Sequence, residues 1–193
     1  MAPFEPVGLP CGRSKGRYAG RMTDEKKLQN VAFIDGQNLH LGTKEQGWAV
    51  NHKRLRTYLR DKYKIGEAYY FLGYVTEDYQ ELYDSLQKAG YILSFREHSS
   101  ALKGMKKGNV DNDIVFGVMK KLIEDEPFGK VYLISGDGDY KKLVDYLIKK
   151  KKFGKMLFPN RQFASSLYKT LGGEYFAYLE DKDVKAKIRH TLK

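Results

Sequence analysis

The chain has 193 residues, 41% of them hydrophobic, a formal net charge of +11 and one cysteine, Cys11. This length and apolar content fit one globular domain with its own core and exclude disorder across most of the chain. One cysteine excludes a disulfide framework and a thiolate metal site, which fits a cytoplasmic protein, and no apolar run approaches the roughly 20 residues of a membrane span. The charge favours a polyanionic partner, nucleic acid first, with a merely solvated basic surface as the alternative.

Three regions differ in composition. Residues 1–29 are predicted to be a flexible basic tail, because prolines, glycines and scattered cations occur there without apolar periodicity. Residues 30–180 are the predicted domain, and residues 181–193 are a basic tail or helix. The alternative for the N-terminal segment is a basic arm that touches nucleic acid.

A truncation that starts at Met22 should keep one cooperative thermal unfolding transition, because residues 1–21 show no pattern that supplies core. Circular dichroism of the truncated and full chains measures this. A truncated chain without a cooperative transition would show that the segment packs against the domain.

Apolar segments typical of strands alternate with segments of helical periodicity after residue 30. This alternation predicts an α/β fold with a parallel sheet between two layers of helices. The predicted strands are 31–34, 67–75, 91–95, 130–134, 155–158 and 174–179. The predicted helices are 51–63 with Asn51 as its N-cap, 78–88 with Tyr79 on its core face, 110–124, a helix around 143–148, and 163–171.

Two of the predicted strands end in turns that carry carboxylates and glycines. The first strand leads into Asp35-Gly36-Gln37-Asn38, and the fourth leads into Ser135-Gly136-Asp137-Gly138-Asp139-Tyr140, just before a helix. Open α/β sheets bind ligands at the carboxyl ends of strands. Gly136 and Gly138 are expected to let the backbone turn sharply and to leave open space beside the acids. Because a turn alone has no use for two acids that repel each other, the second turn indicates a bound cation.

A third acidic segment, Lys107-Gly108-Asn109-Val110-Asp111-Asn112-Asp113, stands at the start of the helix predicted over 110–124. Taken alone, Asp111 or Asp113 is explained as a helix cap, since acids in a first turn satisfy backbone N–H groups and the helix dipole. Asp35 alone is likewise explained as a turn residue. The three segments together favour a divalent cation, because Mg²⁺ is held by carboxylates, waters and substrate phosphates.

The segments Phe33-Ile34-Asp35-Gly36-Gln37-Asn38, Lys107-Gly108-Asn109-Val110-Asp111 and Ser135-Gly136-Asp137-Gly138-Asp139 resemble, in order and spacing, the motifs of NYN domains. The resemblance is to the LabA-like branch within the PIN-like nuclease superfamily, and it covers roughly residues 30–180. It implies a Rossmann-like three-layer sandwich with a mostly parallel sheet of central order 3-2-1-4-5. It also implies an acidic pocket that binds Mg²⁺ or Mn²⁺ for RNA cleavage.

By motif position, the resemblance assigns metal binding to three acids, Asp35, Asp111 and Asp137. Asp139 supports them and Asn38 orients water or phosphate, so these five residues form the predicted catalytic set.

One position departs from the family pattern. An apolar residue usually follows the second motif, whereas this chain has Asn112 and Asp113 there. Asp113 is therefore either a further ligand or a cap.

Substrate binding is assigned to basic and aromatic residues near the acids. Three lysines lie on a glycine-containing loop directly before Asp111, and one arginine follows the fifth strand at the same sheet edge. Tyr140 and Phe163 are placed to stack on bases of single-stranded RNA, although Tyr140 fits the core of the next helix equally well. The predicted RNA-binding set is Lys103, Lys106, Lys107, Tyr140 and Arg161. The sequence leaves open whether two copies of the chain form a homodimer.

The sequence thus predicts a metal-dependent ribonuclease that hydrolyses RNA phosphodiester bonds with Mg²⁺ or Mn²⁺ as cofactor. The alternative is a regulatory module that binds RNA or a nucleotide in the same pocket without cutting it. A Toprim fold is disfavoured because it needs a glutamate on the first strand, and a haloacid-type phosphatase because its Asp-x-Asp is absent there. No histidine, cysteine or serine arrangement typical of hydrolases competes with the acids.

Overall fold

The computed structural model describes residues 28–96, 110–124 and 127–190. Within them, six parallel strands form one sheet in the order β3-β2-β1-β4-β5-β6. The predicted α/β class and central order are confirmed, and β6 extends the sheet beyond β5. The strands are β1 (Asn30–Asp35), β2 (Ile65–Leu72), β3 (Ile92–Phe95), β4 (Val131–Ile134), β5 (Phe153–Phe158) and β6 (Phe176–Tyr178).

Helices cover both faces of the sheet. Among the described residues they are α1 (Gly36–Glu45), α2 (His52–Tyr63), α3 (Gln80–Lys88), α4 (Asp111–Ile123), α5 (Lys141–Lys149) and α6 (Lys182–Ile188). Successive strand residues point to opposite faces, so β1 serves two cores. Val31 and Phe33 pack with α4 and α5, whereas Ala32 and Ile34 pack with the other helices. None of these described helices is long and apolar enough to cross a membrane.

The strand order reverses between β1 and β4, which places two acidic turns side by side. After β1 the sheet grows outwards through β2 and β3, and the chain then returns to the other side of β1 as β4. Ile34 pairs with Ile134, so the two strands end level with each other. Asp35 and Ser135 therefore lie at the same edge of the sheet, where such folds bind ligands.

The start of α2 follows the predicted capping. Asn51 Oδ1 accepts a hydrogen bond from the Arg54 backbone N–H at 3.0 Å, and Leu55 and Leu59 are buried. At α3 the predicted core position of Tyr79 is wrong. Its side chain is 58% exposed, because a 3₁₀ turn (Glu77–Tyr79) precedes the helix.

The helix predicted over 163–171 is also wrong, because tertiary hydrogen bonds hold this segment to the turn after β4. The Ser165 N–H donates to the Gly136 carbonyl at 3.0 Å, and Ser165 takes an extended backbone with φ −55° and ψ 141°. A helix cannot pass through such a residue. Only a 3₁₀ turn, Ser166–Tyr168, forms.

Candidate metal centre

Asp35 is the last residue of β1 and the N-cap of α1, so the backbone is held on both sides of it. Its backbone pairs with Phe71 in β2, and its Oδ1 accepts a hydrogen bond from the Asn38 N–H at 2.9 Å. The side chain is buried. The turn predicted after the first strand is therefore the first turn of a helix, and its acid is a cap as well as a member of the site.

The turn after β4 presents Asp137 and Asp139 at the same edge. The buried Ser135 Oγ accepts a hydrogen bond from the Asp137 N–H at 3.1 Å, and Asp137 Oδ1 accepts one from the Asp139 N–H at 3.0 Å. The Tyr168 hydroxyl donates to the Asp137 carbonyl at 2.6 Å. These bonds hold the Asp137 carboxylate and the backbone of the turn in place, and the Ser135 hydroxyl acts as a turn group.

Asp111 is the first residue of α4, and its buried side chain reaches the same place. The Tyr140 hydroxyl donates a short hydrogen bond to Asp111 Oδ1 and lies 3.4 Å from Asp35 Oδ2. Tyr140 thus bridges carboxylates from β1 and α4, and its single proton serves one of them at a time.

Carboxylate oxygens of Asp111, Asp137 and Asp139 lie within 4.8 Å of one another. Oxygens on one octahedral cation with bonds near 2.1 Å are separated by about 3 to 4 Å, so a small inward movement of these side chains suits such an ion. Carboxylates are the donors that hard divalent cations prefer. This acidic triad could therefore hold a metal ion.

The sequence assigned the third metal ligand to Asp35, whereas the geometric triad contains Asp139. The 3₁₀ turn Gly138–Tyr140 folds Asp139 back over Asp137. Asp35 lies beside the triad, joined to Asp111 through Tyr140, with one oxygen used as a helix cap. Metal binding by any of these acids stays a prediction.

Burial raises the pKa of Asp35 from 3.8 to about 6. The Asn38 N–H and the Tyr140 hydroxyl lower this pKa, while the negative charges of Asp111 and Asp137 raise it. Burial, then the negative charge of Asp35, also raises the pKa of Tyr140, so this hydroxyl stays a neutral donor. The cluster therefore carries electrostatic repulsion that a cation would relieve.

Asn38 joins the two turns. Its Oδ1 accepts a hydrogen bond from the Gly136 N–H at 2.7 Å, while its own N–H bonds to Asp35. The side-chain carbonyl thus has a structural partner. If Asn38 orients water or phosphate, its NH₂ group is the part of the side chain that would do so. This role stays a prediction.

Gly136 and Gly138 permit a close approach of chain segments. A Cβ on Gly136 would lie 2.0 Å from the Phe163 carbonyl oxygen, and one on Gly138 would lie 2.6 Å from Ser165 Oγ. Neither is among the described residues with a positive φ. The expectation of open space beside the acids is therefore wrong, because segment 163–165 occupies it.

Gly136→Ala should lower the free energy of unfolding by about 2 to 3 kcal/mol, because overpacking against backbone costs this much and side-chain rotation cannot relieve it. Urea denaturation measures the change. Gly173→Ala is the matched control, since a Cβ there meets nothing within 4 Å. Equal stability of the two variants would contradict the close contact.

The structure corrects one predicted RNA contact and leaves three outside its range. Tyr140 is 1% exposed, so the prediction that its ring stacks on a base is wrong. The ring packs in the core of α4 and α5, and only its hydroxyl reaches the acids. The predicted contacts outside the described residues are Lys103, Lys106 and Lys107.

Arg161 lies where the sequence placed it, after β5, but acidic partners engage its guanidinium. It donates to Glu180 at 2.8 Å and to Asp181 at 2.7 Å, and it stacks over the Tyr178 ring. Phe163 is half-buried beside Gly136. RNA binding by Arg161 and Phe163 stays a prediction.

Two residues that position the site were missed from the sequence. Asn160 is fully buried, accepts a hydrogen bond from the Phe163 N–H at 2.8 Å and donates to the Gly42 carbonyl. An asparagine directly after a buried strand was the available signal. No local pattern pointed to Tyr168, whose partner Asp137 lies 31 residues earlier in the chain.

Known proteins are similar to this chain in sequence or in fold. The chain is 23% identical to Low amplitude and bright protein LabA from Synechococcus elongatus over 168 residues. This match covers 82% of this chain and 87% of that protein. A crystal structure of a protein of unknown function from Vibrio parahaemolyticus RIMD 2210633 has the same fold, with a TM-score of 0.71 and 16% identity over 88% of this chain and 100% of that one. The family model described as NYN domain matches residues 30–173. The chain therefore belongs to the NYN domain family of PIN-like folds and is distantly related to LabA.

Proposed function

We propose that this protein is a ribonuclease that uses Mg²⁺ or Mn²⁺ to hydrolyse phosphodiester bonds of single-stranded RNA. The observation that carries the proposal is the triad of Asp111, Asp137 and Asp139, with Asp35 beside it, at the carboxyl edge of the sheet. Membership of a PIN-like nuclease family supports it, and the net charge of +11 suits a polyanionic substrate.

Asp111, Asp137 and Asp139 would hold the cation. A bound cation would lower the pKa of a coordinated water and would neutralise negative charge on the scissile phosphate. Tyr140 keeps Asp111 in place by hydrogen bonding, and the Asp139 N–H keeps the Asp137 carboxylate in place. Two of the three ligands are thus held by hydrogen bonds, and the exposed Asp139 side chain would complete the set.

Asp35 has the properties of a general base. Without a cation, burial raises its pKa to about 6, so the carboxylate is more basic than that of an ordinary aspartate and still ionises at neutral pH. Oδ1 accepts the hydrogen bond of the Asn38 N–H at 2.9 Å, whereas Oδ2 has the longer contact of 3.4 Å with the Tyr140 hydroxyl, so Oδ2 is the oxygen that would accept a proton from the attacking water. This assignment separates proton transfer by Asp35 from cation binding by the triad.

The proposal also assigns RNA contacts to residues close to the acids in sequence or in the fold. Lys103, Lys106 and Lys107 precede Asp111 closely in sequence, and we assign phosphate binding to them. Phe163 replaces Tyr140 as the aromatic residue proposed to stack on a base.

The test incubates the purified full chain with end-labelled single-stranded RNA in Mn²⁺, in Mg²⁺ or in EDTA. Product in the presence of either cation and none in EDTA would support the proposal. RNA binding without product under every condition would contradict it and would assign the chain to the binding-module alternative.

A further inference from the structure

Helices α2 and α6 form a strongly basic surface on the face of the sheet opposite α4 and α5. The two helices pack together: the Asn51 N–H donates to the Ile188 carbonyl at 2.8 Å, and Arg54 Nη1 donates to the Arg189 carbonyl at 3.1 Å. We call residues 52–64 and 182–189 the α2–α6 surface. Its acids are Asp61 and Asp183, and its cations are Lys53, Arg54, Arg56, Arg60, Lys62, Lys64, Lys182, Lys185, Lys187 and Arg189.

A groove of about 500 Å³ runs along this surface. Arg54 and Lys62 from α2 line it with Lys187 from α6, and Tyr58, Thr57 and Asp61 complete the lining. The hydrogen bond to the Arg189 carbonyl fixes Arg54 in this position. Three cations and one carboxylate thus line one concave surface, and this surplus of positive charge suits the binding of phosphate oxygens.

Helix stability explains only some of these cations. Lys62 and Lys187 lie in the last turns of α2 and α6, where cations suit the helix dipole. Lys53 and Arg54, by contrast, lie in the first turn of α2, which contains no acid. Cations near a helix N-terminus oppose the helix dipole, and like charges across a groove repel each other. Only the cations in the last turns suit the dipole. A polyanion on this surface would offset the unfavourable charges.

The surface chemistry favours nucleic acid over a membrane. A helix that binds a lipid surface presents large apolar side chains beside its cations. Among the described residues, none of the large exposed apolar side chains lies on α2 or α6. The large apolar side chains that are exposed lie elsewhere and are Leu28, Leu41, Val75, Tyr79, Ile92, Phe116, Ile123, Tyr146 and Leu167.

We propose that the α2–α6 surface binds the phosphate backbone of single-stranded RNA at a second contact, separate from the acidic site. The inference rests on the proposed function only in taking RNA as the ligand. Such a contact holds a long RNA while another part of the strand occupies the acidic site. Its expected signature is a strong dependence of binding on salt.

The test replaces three exposed lysines, in the variant Lys53→Gln, Lys62→Gln and Lys187→Gln. Fluorescence anisotropy measures binding of a labelled oligouridine of about 30 nucleotides in EDTA, over a series of salt concentrations. Loss of three phosphate contacts should weaken binding at least about tenfold and reduce the slope of log K against log salt by about 2.

The matched control removes the same charge from the opposite face, with Lys142→Gln, Lys149→Gln and Lys150→Gln, all exposed. It should change affinity by less than about threefold, because these residues lie outside the proposed contact. Thermal melts of both variants check that they fold. Equal weakening in both variants would show that only net charge acts and would overturn the inference.

Two further outcomes separate this inference from the proposed function. RNA binding that depends on the α2–α6 lysines, in a protein that yields no product with any cation, would support this inference and contradict catalysis. Cleavage by the wild type with unchanged RNA binding in the α2–α6 variant would overturn this inference alone. Binding to phosphatidylserine vesicles that the variant loses, with RNA binding retained, would also overturn it.

Discussion

Asp137→Asn should reduce metal-dependent RNA cleavage by about a thousandfold or more. A bound cation contributes several kcal/mol of transition-state stabilisation, and each 1.36 kcal/mol is a factor of ten in rate. Asp137 belongs to the triad, and its Oδ1 also accepts a hydrogen bond from the Asp139 N–H at 3.0 Å. Initial rates on labelled RNA in saturating Mn²⁺ measure the loss.

Asp35→Asn should also abolish cleavage, but for a different reason. This change removes the proposed proton acceptor and leaves the triad of Asp111, Asp137 and Asp139 in place. Mn²⁺ should therefore still raise the melting temperature of Asp35→Asn, whereas it should lose this effect on Asp137→Asn. The pair of variants thus separates proton transfer from cation binding.

The control for both variants is Asp78→Asn, an exposed acid in the 3₁₀ turn before α3. It should cleave RNA at the wild-type rate. If Asp35→Asn cleaves as fast as the wild type in a preparation free of contaminating nuclease, the ribonuclease proposal is wrong.

In EDTA, Asp35→Asn should be more stable than the wild type by up to about 3 kcal/mol near pH 8 and equally stable below about pH 4. Asp35 has a raised pKa of about 6 in the folded protein, against 3.8 for an ordinary aspartate. Because the folded protein binds this proton more tightly, Asp35 contributes its full stabilisation below its unfolded pKa of 3.8. That contribution is lost as pH rises through the folded pKa of about 6. Urea denaturation at several pH values measures the difference.

The pH dependence of the wild type alone does not isolate Asp35, because His52 changes the free energy of unfolding with pH in the opposite direction. Burial lowers the pKa of His52 from 6.5 to about 4, so its contribution is complete above pH 6.5 and is lost as pH falls towards 4. The two effects nearly offset each other in the wild type. The difference between wild type and Asp35→Asn isolates Asp35, and a difference that is independent of pH would contradict its raised pKa.

Saturating Mn²⁺ should stabilise the wild type at neutral pH, because a ligand that binds only the folded state at a hundredfold excess over its Kd contributes about 3 kcal/mol. Relief of repulsion among the acids is the physical source. Coincident thermal melts in Mn²⁺ and EDTA would show that the triad binds no cation.

Local patterns were sufficient for most of the secondary structure. Buried runs such as 31–34 and 130–134 became β1 and β4, and Asn51 became the N-cap of α2, because each depends on neighbours within a few residues. The motifs also located Asp35, Asp111 and Asp137 at a strand end, a helix start and a turn. The alternation of elements predicted the parallel sheet, whereas its central order came from the resemblance to NYN domains.

The sequence by itself therefore determined the α/β fold and the acids that meet at one edge of its sheet. Tertiary structure alone decided which of those acids form a triad, because the pairing of β1 with β4 and the fold of the turn after β4 set the distances between carboxylates. It also buried Tyr140 between Asp35 and Asp111. Such contacts join residues far apart in the chain, so no local periodicity records them.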